Sequence, residues 1–164
     1  MYLIFVVEVL TSHGYSAAQA SALGSVPSWI MVFSAVAAGQ LVDRTGQRDL
    51  VLYGGLIISA VCLVLLSQGA AVTVNIVLLG TVGFGCAGVI MSLTADAMPA
   101  QSRAFGMGFF FTIYFIVGLP APGIAGWLYD LTTDPSAPML FASALCLLAA
   151  ACNLWFRRSL STPP

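Results

Sequence analysis

The sequence predicts an all-α fold, a polytopic bundle of membrane-spanning helices, and three observations carry that prediction. Of the 164 residues, 60% are hydrophobic and only 7% are charged, whereas a soluble domain is about half apolar and about a quarter charged. The mean hydropathy is +1.01. Long stretches contain no Asp, Glu, Lys, Arg or His, and each is long enough for at least one membrane helix. Five basic and six acidic side chains cannot cover a water-soluble surface, so we expect the lipid bilayer to surround the chain.

The spans follow from the lengths of these uncharged stretches. The longest, residues 50–95, holds 46 residues, roughly 69 Å of helix at about 1.5 Å per residue. Because one crossing needs about 20 residues, this stretch must fold back, and the small and polar residues 67–71 mark the reversal. Residues 2–11 are too short for a crossing, and we interpret them as a truncated span. The predicted spans are 2–11, 20–42, 50–68, 72–95, 105–129 and 138–156, and residues 157–164 form a short tail.

The basic residues predict the orientation of the bundle. With alternating crossings, every arginine falls on one side of the membrane, whereas His13, Asp130 and Asp134 fall on the other. Basic loops face the cytoplasm in multi-pass proteins. We therefore expect a protein of the plasma or inner membrane with a cytoplasmic C-terminus. The basic residues that decide this orientation are Arg44, Arg48, Arg103, Arg157 and Arg158.

Several function classes lack the residues that they need. No basic patch could neutralise a nucleic-acid backbone, so no nucleic-acid partner is expected. The four cysteines lie singly in apolar runs and His13 is the only histidine, so neither a metal site nor another cofactor is predicted. HExxH and GxGD motifs and a serine–histidine arrangement are absent. The sequence therefore predicts a protein that is not an enzyme.

The segment from Gly39 to Arg48 is the most informative motif. It forms a turn between two spans, where Gly39 permits close helix approach, Gly46 permits a tight reversal, and Asp43 can accept hydrogen bonds at a helix end. It resembles the signature loop of the major facilitator superfamily, G-x-x-x-D-R-x-G-x-R. The resemblance implies a latch that opens and closes as a transporter rocks; the alternative is an ordinary basic loop. The matches are Gly39, Asp43, Arg44, Gly46 and Arg48, with Asp49 where many members have a basic residue.

Two further segments resemble that family. Asp96 and Arg103 flank Met98-Pro99, as in the loop after the fourth helix of a half, and Asp96 could pair with Arg44 or Arg48 or remain solvated. Gly118, Pro122 and Gly126 recur every four residues, which allows close packing or a kink. The ending Gly-Trp-Leu-Tyr-Asp is similar to the eleventh helix of the whole transporter. The resemblance implies the C-terminal six-helix half, made of two inverted three-helix repeats, with a missing N-terminal half as partner.

Polar side chains within the spans are the candidates for a substrate or proton site. Glu8 is a carboxylate inside an apolar segment, which is costly unless it has a function or lies near water. Asn75, Thr112 and Tyr114 are weaker candidates, because such groups often bond to neighbouring helices. Together these features favour transport of a small-molecule substrate by alternating access. The alternative is a non-transporting six-helix interaction protein or an inactive transporter fragment.

Overall fold

The computed structural model describes residues 2–96 and 98–161, and these residues form α-helices and one π-helical turn without any β-strand. The all-α prediction is confirmed. Residues 79–83 form the π turn, and the helical segments on either side of it belong to one span. The elements are α1 (Tyr2–Ser12), α2 (Ala17–Thr45), α3 (Arg48–Ser67), α4 (Val72–Leu78), the π turn (Leu79–Gly83), α5 (Cys86–Asp96), α6 (Arg103–Gly118), α7 (Pro120–Thr132) and α8 (Ala137–Ser161).

Five helical segments are long and apolar enough to cross a membrane, and α1 is a shorter apolar helix. The chain reverses between Ser67 and Val72, where Gly69 adopts a left-handed backbone with φ of 68°. The membrane-length segments are Ala17–Thr45, Arg48–Ser67, Val72–Ser92, Arg103–Thr132 and Ala137–Trp155.

Helices α3 and α8 form an antiparallel pair whose register is fixed by hydrogen bonds. The Ser136 hydroxyl donates to the Ser67 carbonyl at 3.1 Å, at one end of the pair. In the middle, the buried Ser143 hydroxyl donates to the Ala60 carbonyl at 3.0 Å. At the other end, the Asn153 amide donates to the Tyr53 hydroxyl at 3.2 Å, which completes a series along both helices. Such bonds between helices stabilise packing in lipid, where water cannot compete for the polar groups.

The short helix α1 lies in the core of the described bundle. Its buried residues pack with α2, α3, the span of α4 and the π turn, and α8. Leu10 has no exposed surface, and Val6 and Val9 are nearly as well buried. This packing gives α1 a protein environment on one face, although it is too short to cross the bilayer by itself.

The π turn packs closely between α2 and α3. A side chain at Gly80 would meet Pro27 and Ile30 at 2.9 Å, and one at Gly55 would meet the Cβ of Cys86 at 2.6 Å. The Ser34 hydroxyl donates to the Gly80 carbonyl at 2.7 Å. Small residues let membrane helices approach in this way.

The glycines that the sequence predicted to be sites of close helix packing are not in close contact with another helix. A Cβ added at Gly39, Gly118 or Gly126 would meet no atom within 4 Å. Helices α6 and α7 continue into each other through Leu119, whose backbone is helical and whose N–H donates to the Phe115 carbonyl at 2.8 Å. An apolar stretch of 18 residues within α6–α7 contains no buried residue. Close packing at these three glycines therefore does not occur among the described residues.

Candidate functional site

The loop between α2 and α3 is a two-residue reversal. The Thr45 hydroxyl donates to the Leu41 carbonyl at 2.7 Å as α2 ends. Gly46 then adopts φ of 68° and its N–H donates to the Val42 carbonyl at 2.8 Å. Only glycine takes this left-handed conformation without steric cost, so Gly46 ends α2 and lets α3 begin at Arg48.

The charged residues around this loop differ in exposure. Asp43 and Arg44 are exposed at the end of α2, and Arg48 is half-buried as the first residue of α3. Arg103 is exposed and begins α6. Asp96 ends α5, but its side chain lies outside the described residues, so its suggested pairing with an arginine remains a prediction.

Glu8 forms a hydrogen bond between two helices that are distant in sequence. The Tyr129 hydroxyl on α7 donates to the Glu8 carboxylate on α1 at 3.1 Å. The Glu8 side chain is exposed. Helix α1 ends at Ser12 and α7 ends at Thr132, so both partners lie within about one turn, roughly 6 Å, of a helix end. Glu8 is therefore near the surface of the bundle that carries the α1–α2 and α7–α8 loops.

The same surface is held together by a contact between two loops. His13 follows α1, and its Nδ1 lies 2.8 Å from the Val9 carbonyl, to which it can donate. The imidazole ring covers Gly69 in the turn after α3 so closely that a side chain there would overlap it. In the α7–α8 connection, the Asp134 carboxylate accepts a hydrogen bond from the Ser136 N–H at 2.8 Å, where α8 begins. The contact of His13 with Val9 and Gly69 supports the end of α1, the helix that carries Glu8.

Asn75 lies in the interior instead of lining an open surface. It is 3% exposed, and its amide donates to the Ala70 carbonyl at 2.8 Å. Ala71, next to that carbonyl, has a left-handed backbone with φ of 42°. This bond stabilises the strained turn between α3 and α4, so the structure favours a structural role for Asn75 over substrate binding.

Thr112 and Tyr114 lie on the exposed helix α6. The Thr112 hydroxyl donates to the Gly108 carbonyl of its own helix at 2.9 Å. Tyr114 stacks on Phe110 with ring centroids 6.2 Å apart and contacts Phe115 edge-on. Both side chains face away from the described core, so any site that they form lies on the outer surface of this bundle.

Comparison with known proteins decides the family. The family model described as Major Facilitator Superfamily matches residues 1–164. The chain belongs to the major facilitator superfamily. The resemblance carried by the signature loop is therefore confirmed, and membership in a family of transport proteins agrees with the prediction that the chain is not an enzyme.

The curated relatives are longer than this chain. Two proteins of Agrobacterium vitis, each named "Putative tartrate transporter", are 24% identical to it over 159 residues. The match covers 95% of this chain but 35% of one relative and 37% of the other, so the chain spans about a third of their length. No solved structure gives a significant match.

Sequence reasoning missed two features of this superfamily member. Tyr129 belongs to the Gly-Trp-Leu-Tyr-Asp ending that indicated the family, but nothing in its spacing links it to Glu8. Tyr2 was also not singled out; it is 6% exposed, and its hydroxyl has no hydrogen-bond partner among the described residues. Those residues also contain no group of three or more His, Cys, Asp and Glu that could hold a metal ion.

Proposed function

We propose that this chain is one half of a secondary transporter that moves a small solute across the membrane by alternating access. The observation that carries the proposal is the family match across residues 1–164, together with the signature loop at the turn between α2 and α3. In such transporters, two six-helix units rock around a site near the bilayer midplane. The transporter names of the two curated relatives support the same function.

A second six-helix unit would cover α2 and α6–α7. The side chains of Trp29 and Phe33 on α2 are 73% and 76% exposed, and that of Phe105 on α6 is 82% exposed. The open glycines Gly118 and Gly126 suit the approach of another helix, because small residues line helix interfaces in lipid. The greater length of the relatives provides room for such a unit. We infer that the missing N-terminal half packs on this surface.

The signature loop would act as the latch on the cytoplasmic side. Asp43 and Arg44 are exposed at the end of α2, where a group on another helix can reach them. The positive-inside rule supports this orientation, because the α2–α3 and α5–α6 connections and the end of α8 carry all the arginines. The C-terminus would then be cytoplasmic, and the Glu8–Tyr129 pair would lie near the opposite face.

The names of the relatives suggest that the transported solute is a small organic acid such as tartrate. A negatively charged Glu8 would repel an anionic solute, and protonation removes that repulsion. Glu8 is therefore suited to couple solute binding to proton binding, with Tyr129 positioning its carboxylate through the 3.1 Å hydrogen bond. Asp130 and Asp134 add exposed negative charge near the same end of the bundle.

Replacement of Glu8 tests this function. In proteoliposomes containing the protein at its full encoded length, we expect an imposed proton gradient to accelerate tartrate uptake. Glu8→Gln keeps the size of the side chain but cannot bind and release the proton, so the gradient-driven rate should fall by about tenfold or more, equivalent to at least ~1.4 kcal/mol. The measurement is the initial rate of uptake of radiolabelled tartrate with and without the gradient.

Two control variants separate coupling from general damage. Tyr129→Phe retains the carboxylate and removes its hydrogen-bond donor, so uptake should slow but still respond to the gradient. Asp130→Asn removes an exposed carboxylate of α7 and should leave the response unchanged. An unaltered response in Glu8→Gln would eliminate Glu8 as the proton carrier. Absence of uptake for tartrate and related dicarboxylates would favour the non-transporting interaction protein.

A further inference from the structure

The π turn changes the backbone hydrogen bonding of the span that contains it. The Phe84 N–H donates to the Leu79 carbonyl, five residues earlier, at 2.8 Å. In a continuous α-helix this N–H would donate to the Gly80 carbonyl, four residues earlier. Phe84 and Gly85 then belong to no helix, and α5 begins at Cys86. Single π turns of this kind are rare and occur frequently at functional sites.

Ser34 on α2 supplies the donor that the Gly80 carbonyl would otherwise lack. Its hydroxyl donates to that carbonyl at 2.7 Å. A hydroxyl has a single proton to donate, and its other acceptor, the Met31 carbonyl of its own helix, is farther away at 3.4 Å. If the hydroxyl turned to Met31, the Gly80 carbonyl could accept from the Phe84 N–H, as in an α-helix. Neither arrangement leaves the Ser34, Gly80 or Phe84 group unpaired.

Cys86 links the π turn to α3. Its thiol donates to the Gly83 carbonyl at 2.9 Å, and the residue is 5% exposed. A Cβ at Gly55 of α3 would lie 2.6 Å from the Cβ of Cys86, so α5 begins in tight contact with α3. A shift of one residue in helical register corresponds to a rotation of up to about 100°. Conversion of the π turn to α-helical bonding would therefore move Cys86 away from α3.

We propose that the π turn is a hinge with two hydrogen-bonded states and that Ser34 selects between them. In the state described above, the Ser34 hydroxyl bonds to Gly80 and Cys86 packs on α3. In the second state, the Ser34 hydroxyl bonds to Met31, and the Phe84 N–H bonds to Gly80. Helix α5 then turns relative to α3.

The hinge lies between the two ends of its span. The Asn75 amide donates to the Ala70 carbonyl at 2.8 Å and holds α4 to the turn before it, whereas α5 leads to the connection that carries Arg103. A change at the π turn therefore moves the arginine-bearing half of the span and leaves the other half in place. Alternating access needs such unequal movement, so the role of the hinge in transport, but not the hinge itself, rests on the proposed function.

The reaction of Cys86 with N-ethylmaleimide tests the proposal. The protein at its full encoded length, in detergent, would carry Cys86 as its single cysteine, and mass spectrometry would follow its labelling. We expect Ser34→Ala to raise the labelling rate about fivefold, the effect of losing one hydrogen bond worth ~1 kcal/mol. Ser34→Thr keeps the hydroxyl and should preserve the original rate. Ser25→Ala removes a hydroxyl of α2 that bonds to its own helix and should also leave the rate unchanged.

A second single-cysteine protein separates the hinge from general loosening. Cys62 on α3 is 2% exposed and lies outside the π turn, so Ser34→Ala should not accelerate its labelling. Deletion of Val82 shortens the π turn to α-helical length, so Ser34→Ala should then have no further effect on Cys86. Unchanged labelling of Cys86 in Ser34→Ala, or equal acceleration at Cys62 and Cys86, would overturn the proposal. Because labelling needs no solute, a failure to observe tartrate uptake would count against the proposed function and not against the hinge.

Discussion

Gly69→Ala is expected to lower the free energy of unfolding by about 2–5 kcal/mol. Gly69 has φ of 68° in the turn between α3 and α4, and an L-residue in this conformation costs roughly 1–2 kcal/mol. The added methyl group would also overlap the imidazole ring of His13. Such overpacking typically costs about 1–3 kcal/mol. The imidazole ring cannot easily move away, because its Nδ1 is hydrogen-bonded to the Val9 carbonyl. The backbone cost and the packing cost therefore add.

Two comparisons separate the backbone effect from the collision. Gly14 has φ of 90°, but a Cβ there meets no atom within 4 Å, so Gly14→Ala should cost only the backbone term. In a double-mutant cycle, His13→Ala should recover the collision part of the Gly69→Ala loss. Unfolding in mixed detergent micelles, followed by circular dichroism, measures each value. Equal losses in Gly69→Ala and Gly14→Ala would show that His13 does not pack on the turn.

Gly55→Ala and Gly54→Ala should change stability in opposite directions, although the two glycines are neighbours on α3. A methyl group at Gly55 would lie 2.6 Å from the Cβ of Cys86 and 3.1 Å from the Val82 carbonyl, so α3 and the span containing the π turn must separate. We expect a loss of about 1–3 kcal/mol from this overpacking. At Gly54, no atom lies within 4 Å, so alanine should stabilise the helix by up to about 1 kcal/mol.

The same unfolding measurement distinguishes the two faces of α3. Because both variants make the same chemical change in one helix, their difference reports packing alone and not helix propensity. Gly55→Ser is a useful third variant, since its side chain also exceeds the available space. Equal stability of Gly55→Ala and Gly54→Ala would contradict the close contact between α3 and Cys86.

The sequence was sufficient to predict the fold class because its signal is strong and local. The sequence has few charged residues and several uncharged stretches long enough to cross a membrane. These features predict membrane-spanning helices. The π turn could not be predicted, because residues 79–83, Leu-Gly-Thr-Val-Gly, carry no sequence pattern that distinguishes a π turn from a continuous α-helix. The sequence also does not indicate which glycines make close contacts between helices. A glycine in an apolar helix suits either a close contact or an open face, and only tertiary structure distinguishes Gly55 from Gly118.

The candidate site was predictable only where chemistry alone marks a residue. Glu8 stood out because a carboxylate in an apolar segment is costly, but its partner Tyr129 is 121 positions away and no local pattern joins them. Asn75 gave the same sequence signal as a substrate ligand, yet it stabilises a turn. The aliphatic composition of α3 suggests a lipid-facing helix, but many of its residues are buried. Lipid tails are as apolar as leucine side chains, so composition does not separate these environments.

Cysteine labelling in membrane vesicles tests the central claim that all arginine-bearing connections lie on one side of the bilayer. Single cysteines at Gln47, Gln101 and Asp134 would be introduced after replacement of the four native cysteines, and exposed to a membrane-impermeant maleimide. We predict that Gln47→Cys and Gln101→Cys react in inside-out vesicles, whereas Asp134→Cys reacts in right-side-out vesicles. Reaction of the Gln47 and Gln101 variants from opposite sides would contradict the account.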